Sequence, residues 1–367
     1  MSRLRTVLLG TGFGRTVQAV ALQRHPGFEL VGLASRNLEK TRRIAGELGI
    51  PNASDDWKAM IANLRPDLVS VVTPPALHHP MVMAALEHGA HVLCEKPTAL
   101  HRQQAAEMRD RAAELGRVAA INHEFRFFPA RRHALDLVRR GAIGAPRRGV
   151  IVGRYPIWAT PASRGMTWLS DRRWGGGILG ALGSHHTDAL RLFFGEPRRA
   201  LATVRIDQPL RGPVAGQPDA ARATADDACT VQYEFEGGAT GMIDLQASVP
   251  YRWEQFEIHG AEASLRWDDS GTRLWRLVAG QDPEQVEIPA SLQLATQTGD
   301  PALVAPFGVL ADRLHRAITA GEPMEPDFAD AVAVQSALDA ARLSSEAGAW
   351  MRVEIPVPQR REAATPV

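Results

Sequence analysis

The chain has 367 residues, enough for two domains with substantial cores, and its 45% hydrophobic and 23% charged residues are ordinary for a globular protein. With 42 basic and 41 acidic residues, it has no excess positive charge to hold a nucleic-acid backbone or an anionic membrane. The apolar stretch at residues 7–9 is too short for a signal peptide, and no segment approaches the roughly 20 apolar residues that cross a bilayer. Cys94 and Cys229 make neither a disulfide framework nor a metal-ligand cluster. We therefore expect a cytoplasmic protein without a metal ion that acts on a small molecule.

From residue 6 to about residue 122, short β-branched runs alternate with helical patterns, which is typical of a parallel sheet with helical crossovers. Strands are predicted at residues 6–10, 29–34, 68–73, 91–94 and 119–122. Helices are predicted between them at residues 16–25, 38–48, 79–88 and 102–115. The sequence thus predicts an α/β nucleotide-binding domain over residues 1–122.

The pattern changes after residue 122. A helix predicted at residues 129–140 leads into a loop rich in Trp and Gly, and residues 207–225 read as a polar excursion. Strands are predicted at residues 150–155, 200–206, 228–235, 239–248, 253–260 and 263–267, with a hairpin turn at residues 236–238. Helices at residues 306–320 and 327–346 precede a short strand. We expect a second, α+β domain over residues 123–357, with a large and mostly antiparallel sheet, and a polar tail at residues 358–367.

A glycine-rich turn follows the first predicted strand. Glycines here let the backbone approach a pyrophosphate, and the next helix presents its unpaired N–H groups to it. The third glycine of the usual G-x-G-x-x-G pattern would fall on Arg15, one place after Gly14. The position between a strand and a helix still predicts a dinucleotide site. Its residues are Gly10, Thr11, Gly12, Phe13, Gly14 and Arg15.

The end of the second predicted strand bears on the choice of cofactor. An acidic residue there would bind the ribose 2′-hydroxyl of NAD, but the sequence has Ser35 and Arg36. Arg36 can pair with a 2′-phosphate and Ser35 can donate a hydrogen bond to it. We predict that NADP is preferred over NAD.

Polar residues also follow the third, fourth and fifth strands, where ligands bind to open α/β sheets. Lys96 can orient a substrate hydroxyl and stabilise the oxyanion that develops as hydride leaves, and Pro97 fixes the turn, with a cis peptide bond as one way to do so. His78 is interpreted as a structural or cofactor-contacting residue rather than a base. The predicted cofactor contacts in these loops are Thr73, Pro74, His78, Glu95, Lys96, Pro97 and Asn122.

A second glycine-rich segment spans residues 175–188 and leads into an apolar helix. Its glycines would let it press against the cofactor, and Ser184, His185 and Asp188 would stand near a helix N-terminus. A neutral imidazole near its reference pKa takes a hydroxyl proton at neutral pH, so His185 is the candidate general base. Asp188 is interpreted as a structural cap.

The motifs together resemble the glucose–fructose oxidoreductase, inositol dehydrogenase and MocA-like family. The segments that carry the resemblance are residues 10–14, 73–75, 95–97, 122–127, 175–188, 327–330 and 335–339. The resemblance implies a Rossmann domain joined to a domain whose open sheet assembles homodimers or homotetramers. It also implies NAD(P)-dependent oxidation of a hydroxyl on a sugar, cyclitol or related polyol.

The resemblance further implies a catalytic lysine in E-K-P and an Asp and a His four residues apart. Lys96 and His185 match, but Ala181 stands where the Asp is expected. Either His185 works with Lys96 alone, helped by Asp188 or His186, or the cofactor serves less typical chemistry. The alternatives are a hydrolase or dehydratase that recycles its cofactor within each turnover, and a non-enzymatic NAD(P)-binding sugar sensor, which the retention of Lys96 and His185 disfavours.

Substrate contacts are expected from aromatic and arginine side chains of the second domain, because Trp offers a flat face to sugar C–H groups and Arg donates paired hydrogen bonds. The pool comprises Arg126, Tyr155, Trp158, Arg164, Trp168, Arg172, Arg173 and Trp174. The predicted substrate-binding set is Lys96, Arg126, Tyr155, Trp168, Trp174, His185 and Asp188.

Overall fold

The structure, a computed structural model, describes residues 3–268 and 271–358. Its first sheet has six parallel strands in the order β3-β2-β1-β4-β5-β6. These strands are β1 (Leu4–Leu9), β2 (Phe28–Ala34), β3 (Asn52–Ser54), β4 (Leu68–Val71), β5 (His91–Cys94) and β6 (Ala119–Ile121). The order reverses between β1 and β4, so the carboxyl ends of these strands form a crevice where ligands bind. The predicted α/β domain, with a parallel sheet and helical crossovers, is confirmed.

Helices connect the strands of this sheet. They are α1 (Ala19–Arg24), α2 (Leu38–Leu48), α3 (Trp57–Leu64), α4 (His78–Glu87) and α5 (Arg102–Glu114). The sequence patterns did not predict β3 or α3. The side chain of Asp56 accepts a hydrogen bond from the Ala59 N–H at 3.0 Å, so it caps the start of α3. That aspartate was the available signal for this helix.

A second sheet of nine strands follows, in the order β16-β15-β14-β13-β7-β12-β11-β8-β17. Its strands are β7 (Pro146–Arg154), β8 (Pro197–Arg205), β11 (Ala228–Phe235), β12 (Thr240–Gln246), β13 (Trp253–Gly260), β14 (Ser264–Asp268), β15 (Leu274–Leu277), β16 (Glu284–Val286) and β17 (Met351–Arg352). Only the central β7–β12 pair is parallel among these described strands. The large, mostly antiparallel sheet is therefore confirmed, and β15 and β16 were missed.

Residues 207–225, predicted as a polar excursion, form a small two-stranded hairpin of β9 (Leu210–Arg211) and β10 (Ala221–Arg222). The predicted polar tail lies, from residue 359 onward, outside the described residues. No helix within residues 3–268 and 271–358 is long and apolar enough to cross a membrane.

One face of the nine-stranded sheet packs on helices α6 (Pro129–Arg139), α7 (Ser184–Phe194) and α9 (Phe328–Ala347). Along β7, β11 and β12, buried residues alternate with half-buried or exposed ones. The period of two in a strand places the buried side chains against the helices and leaves the other face open.

The C-terminal helices pack against both domains. Phe307 and Leu310 of α8 (Val304–Ala320) are fully buried with Leu8 and Leu22 of the first domain. Phe328 of α9 is buried among residues of the first sheet, while the later part of α9 packs under β8. This packing holds the carboxyl ends of β5 and β6 next to α7. The division into domains at residue 122 stays a prediction.

Candidate active site

The glycine-rich turn after β1 fits a dinucleotide. Gly10 has a φ of +124°, and a Cβ there would lie 2.2 Å from the carbonyl oxygen of Val72. Gly12 is exposed, and nothing lies within 4 Å of the place where its Cβ would project. The chain then enters a π-helical turn, Gly14–Gln18, that continues into α1. A helix start next to an open glycine is the arrangement that receives a pyrophosphate.

The other predicted residues of this turn, Thr11, Phe13 and Arg15, are all half-buried. Thr11 and Phe13 lie beside the glycines. Arg15 turns outward and pairs with Glu47 of α2 at 2.9 Å. This ion pair holds the Arg15 guanidinium at the outer edge of the glycine-rich turn rather than inside the turn.

Arg36 stands at the carboxyl end of β2. It is exposed and forms no ion pair with another residue in the described part of the chain. The Ser35 hydroxyl lies 2.5 Å from the Thr41 hydroxyl, and Asn37 caps α2 by accepting from the Lys40 N–H at 2.9 Å. The guanidinium is therefore free to meet a group bound over the end of β2.

A buried hydrogen-bond network lies beneath the ends of β4, β5 and β6. Glu95 Oε1 accepts from Gln18 Nε2 at 2.8 Å and from Asn122 Nδ2 at 2.6 Å. Ser70 Oγ donates to Gln18 Oε1 at 2.5 Å, and burial raises the pKa of Glu95. Glu95 and Asn122 thus join neighbouring strands and support the residues above them.

His78, predicted as a structural or cofactor-contacting residue, is fully buried. Its Nε2 lies 2.7 Å from the Thr73 carbonyl oxygen, and its Nδ1 lies 3.2 Å from the Thr98 carbonyl oxygen. Burial lowers its pKa to about 4, so the ring is neutral and carries one N–H for these two carbonyl oxygens. The structure places His78 as a brace between two loops, so we drop it as a cofactor contact.

Lys96 follows β5 and precedes a cis peptide bond to Pro97. Its Nζ donates a hydrogen bond to the carbonyl oxygen of Ala181 at 2.9 Å. This contact joins the end of a strand in the first domain to the second glycine-rich segment. It fixes one hydrogen-bonding direction of the ammonium and leaves the other two for a ligand.

The second glycine-rich segment packs on loops of the first domain. A Cβ on Gly175 would lie 2.6 Å from Pro75, and one on Gly180 would lie 3.2 Å from Pro97. The helix begins with a π-helical turn, Leu179–Gly183, that runs directly into α7. The expectation that His185 lies near a helix N-terminus is therefore wrong, because the helix starts one turn earlier.

His185 lies in α7 and is 1% exposed. Its ring stacks on Phe125 with centroids 3.8 Å apart and planes 6° apart, and the His123 ring lies 5.6 Å away. The Nδ1 atom has no hydrogen-bond partner. Burial, followed by the charge of Lys96, moves the pKa of His185 well below its ordinary value. The imidazole is therefore neutral at neutral pH, but the expectation that its pKa lies near the reference value is wrong, because burial makes the ring a weaker proton acceptor.

Arg126 and Asp188, predicted as substrate contacts, bind each other. Arg126 donates from Nε to one oxygen of Asp188 at 2.7 Å and from Nη2 to the other at 2.5 Å. Asp330 lies 2.9 Å from the same guanidinium, and Arg191 lies 3.6 Å from Asp188. Both partners are buried, and the charge of Arg126 keeps the pKa of Asp188 below its usual range despite burial. We therefore keep neither as a substrate contact, and Asp188 is not a helix cap.

Glu124 is a residue of this site that the sequence reasoning did not single out. It follows β6, is 1% exposed, and its Oε2 has no hydrogen-bond partner. Burial, followed by the charge of Glu95, raises the pKa of Glu124 to about 8. The available sequence signal was its position shortly after β6, because β6 lies beside β5, the strand that precedes Lys96.

Glu124→Gln is expected to remove a pH-dependent destabilisation. The folded pKa of about 8 lies above the ordinary value of 4.5, so between these values the folded protein keeps a proton that the unfolded chain has lost. The free energy of unfolding contributed by Glu124 therefore falls as pH rises. Urea denaturation should show the variant gaining stability over the parent by on the order of a few kcal/mol from about pH 5 to about pH 8.

The matched control for this prediction is Glu39→Gln. Glu39 is exposed on α2. Its variant should differ from the parent by the same small amount at every pH. A Glu124→Gln difference that does not change with pH would contradict the burial argument.

A cavity of about 640 Å³ lies beside Phe125, on the side of the second domain. Its size suits a small-molecule ligand. Of the predicted substrate residues, Tyr155 lines it, and the pKa of Tyr155 is raised by burial and by the nearby Glu254. The other aromatic and charged lining residues are Phe125, Phe128, Arg131, Arg252, Glu254, Phe256, Trp267 and Asp268.

The rest of the predicted substrate pool lies elsewhere. Trp158 is fully buried under the guanidinium of Arg211 at 4.4 Å and belongs to the core. Trp168 and Trp174 are 39% and 40% exposed, and the short helix Arg172–Trp174 packs against the loop Pro75–Leu77. Arg164, Arg172 and Arg173 are exposed, and the last two pair with Glu346 and Asp171.

Comparisons with known proteins agree with this geometry. A family model described as "Oxidoreductase family, NAD-binding Rossmann fold" matches residues 4–123, and the "GFO/IDH/MocA C-terminal domain" matches residues 131–266. Levoglucosan dehydrogenase of Pseudarthrobacter phenanthrenivorans is 28% identical over 72% of this chain and 73% of its own. D-xylose 1-dehydrogenase (NADP(+)) 2 of Haloferax volcanii is 26% identical over 94% of this chain and 97% of its own.

A solved structure of levoglucosan dehydrogenase in complex with NADH and L-sorbose has a TM-score of 0.85 with this protein. It is 25% identical and covers 96% of this chain and 99% of its own. The two family models together match residues 4–123 and 131–266, which include the first glycine-rich turn, Lys96 and the second glycine-rich segment with His185. The chain belongs to the Gfo/Idh/MocA family of NAD(P)-dependent oxidoreductases.

Proposed function

We propose that this protein oxidises a hydroxyl group of a sugar, cyclitol or related polyol, with NADP preferred over NAD. The observation that carries the proposal is the hydrogen bond from Lys96 to Ala181, which brings a strand-end ammonium to the helix that bears His185. Relatives named levoglucosan dehydrogenase and D-xylose 1-dehydrogenase (NADP(+)) support the substrate class.

The proposed reaction converts a CH–OH group to a carbonyl group. The nicotinamide cofactor, when bound at Gly10 and Gly12, supplies the hydride acceptor. Lys96 donates a hydrogen bond to the reacting oxygen and stabilises its developing negative charge. Neutral His185 takes the hydroxyl proton, so each turnover removes one hydride and one proton from the substrate. The buried network of Glu95 and Asn122 holds the Lys96 backbone in place.

Phe125 takes over the orienting task of the missing aspartate in this proposal. Because residue 181 is an alanine, no carboxylate at that position aligns the imidazole of His185 from the preceding turn. The parallel stack on Phe125, 3.8 Å between centroids, restricts the ring plane instead. In this proposal the hydrogen bond from Lys96 polarises the hydroxyl and makes it more acidic, which offsets the lowered basicity of His185.

The test is the absorbance of reduced nicotinamide during incubation with NADP or NAD and a panel of aldoses, inositols, amino sugars and glycosides. A rise with one class would establish net oxidation and name that class. Product formation from a glycoside without net reduction would favour the hydrolase or dehydratase alternative, in which the cofactor is recycled. Binding of sugars without any product would favour the sensor.

Arg36→Asp is expected to reverse the cofactor preference. The exposed guanidinium at the end of β2 is proposed to pair with the 2′-phosphate of NADP, and an aspartate there would repel the phosphate and accept from a ribose hydroxyl. The ratio of NADP to NAD affinity should fall by at least about tenfold. Fluorescence titration with each dinucleotide measures it.

Arg42→Asp, on the exposed side of α2, makes the same change in net charge and serves as the control. It should leave the ratio unchanged. An Arg36→Asp variant with the parent's ratio would contradict the NADP proposal.

We also propose that the open face of the nine-stranded sheet joins copies of this chain into a homodimer or homotetramer. Half-buried apolar residues on that face, Val150, Val152 and Met242, alternate with the buried ones that contact the helices. Light scattering at assay concentrations would decide this, since the mass of a single chain would contradict it.

A further inference from the structure

The cavity beside Phe125 contains a buried arginine without a partner. Arg131 of α6 is 3% exposed, and its Nε and Nη1 atoms have no hydrogen-bond partner. It forms no ion pair with any other residue in the described parts of the chain. The guanidinium is held between two aromatic rings, 5.8 Å from the centroid of Phe125 and 5.1 Å from that of Phe256.

The carboxylates that line this cavity are already paired with other cations. Glu254 contacts Arg252 at 3.2 Å, and Asp268 is bound by Arg273. Glu124, deeper in the site, has a pKa raised to about 8 and is mostly uncharged at neutral pH. Arg131 is thus the lining cation whose charge no nearby carboxylate neutralises through direct contact.

Such an arrangement is unfavourable in the ligand-free protein. A buried cation without a counterion loses its hydration, and two ring contacts return only part of that free energy. Burial lowers the pKa of Arg131 to about 10, so the group still carries its charge at neutral pH. A bound anion would supply the counterion that the surrounding protein does not provide for Arg131.

We infer that the substrate carries a carboxylate, as a uronic or aldonic acid does, and that Arg131 binds this carboxylate. The inference rests on the proposed function and narrows its substrate class. Arg presents two parallel N–H groups that match the two oxygens of a carboxylate. Neutral polyols offer no group that would neutralise the charge of Arg131.

Arg131 and His185 both lie next to Phe125. The His185 ring stacks on the Phe125 ring, and the Arg131 guanidinium lies 5.8 Å from the centroid of the same ring. One aromatic residue of the cavity wall therefore contacts both polar groups. In the inferred complex the sugar acid occupies the cavity, with its carboxylate on Arg131 and a ring hydroxyl directed toward His185 and Lys96.

The experiment is calorimetric titration of the NADP-saturated protein with matched acid and amide pairs: D-glucuronate with D-glucuronamide, and D-galacturonate with D-galacturonamide. The amide has the shape of the acid without its charge. At least one acid should bind roughly 10- to 100-fold more tightly than its amide. Arg131→Met should abolish that difference by weakening the acid and leaving the amide within about threefold, while Arg131→Lys should retain part of it.

Arg132→Met is the control, because Arg132 is the next residue on α6 and does not line the cavity. It should keep the parent's preference, and NADP affinity should be unchanged in all three variants. The inference is overturned if no acid binds more tightly than its amide, or if the preference survives Arg131→Met. Oxidation of neutral sugars by the same preparation would then leave the proposed function standing, whereas binding without oxidation of any sugar would count against the proposed function itself.

Discussion

Lys96→Met is expected to lower kcat by roughly 100- to 10,000-fold on any substrate that the protein oxidises. The ammonium is held by its 2.9 Å hydrogen bond to the Ala181 carbonyl oxygen, and its proposed role is to donate a second hydrogen bond to the reacting oxygen. Methionine fills a similar volume but donates no hydrogen bond and carries no charge. Single-turnover measurement of hydride transfer separates this loss from any change in binding.

If the main role of Lys96 is the proposed one on the oxygen that changes charge, and its predicted cofactor contact adds little, the affinity for NADP should stay within about threefold of the parent's. Lys58→Met, on the exposed surface of α3, is the control and should keep full activity. Full turnover by Lys96→Met, together with full turnover by His185→Ala, would contradict both assigned roles.

Lys96→Arg tests whether a positive charge at this position is enough for catalysis, or whether the shape of an ammonium is also required. The chain has three lysines, Lys40, Lys58 and Lys96, among 42 basic residues, so arginine is its usual cation. A guanidinium is planar and larger than an ammonium, so it cannot donate to the Ala181 carbonyl oxygen and to a substrate oxygen in the geometry of Lys96. We expect Lys96→Arg to remain at least about 10-fold impaired.

The order of elements in the first domain could be predicted from the sequence because each buried parallel strand is a short β-branched run and each helix has its own start and stop signals. The helix at residues 57–64 was missed because its signal is a single cap, Asp56. The docking of α8 on the first domain was not predictable. The apolar residues of α8 mark a buried face but do not say which surface covers it.

In the candidate site, too, some residues could be predicted from the sequence and others could not. Lys96 and His185 could be found because each stands in a motif with a recognisable local pattern, at a strand end or beside a run of glycines. Arg131 could not be distinguished from the neighbouring arginines of α6, since only the packed structure shows which one is buried between Phe125 and Phe256. The pairing of Arg126 with Asp188 joins residues 62 positions apart and has no local signature.

The Arg126–Asp188 pair is also the place where a single polar substitution should cost the most stability. Asp188→Asn should lower the free energy of unfolding by roughly 3–5 kcal/mol, because the buried Arg126 loses its bidentate carboxylate and keeps only Asp330, which it shares with Arg191. Arg191 is also bound by Glu196. Urea denaturation at neutral pH measures this loss. Asp244→Asn, which breaks the half-exposed pair of Asp244 with Arg154, should lose no more than about 1 kcal/mol.

The pH dependence of that loss identifies its cause. The folded pKa of Asp188 is depressed by Arg126, so its contribution is fully present above the ordinary pKa of 3.8 and disappears as pH falls toward the folded value. The difference between the parent and Asp188→Asn should therefore shrink as pH falls below about 4. In the double variant Arg126→Met with Asp188→Leu, stability should return toward the parent's, since both charges have left the interior together. A double variant as unstable as Asp188→Asn alone would mean that packing, rather than an unbalanced buried charge, makes this pair important.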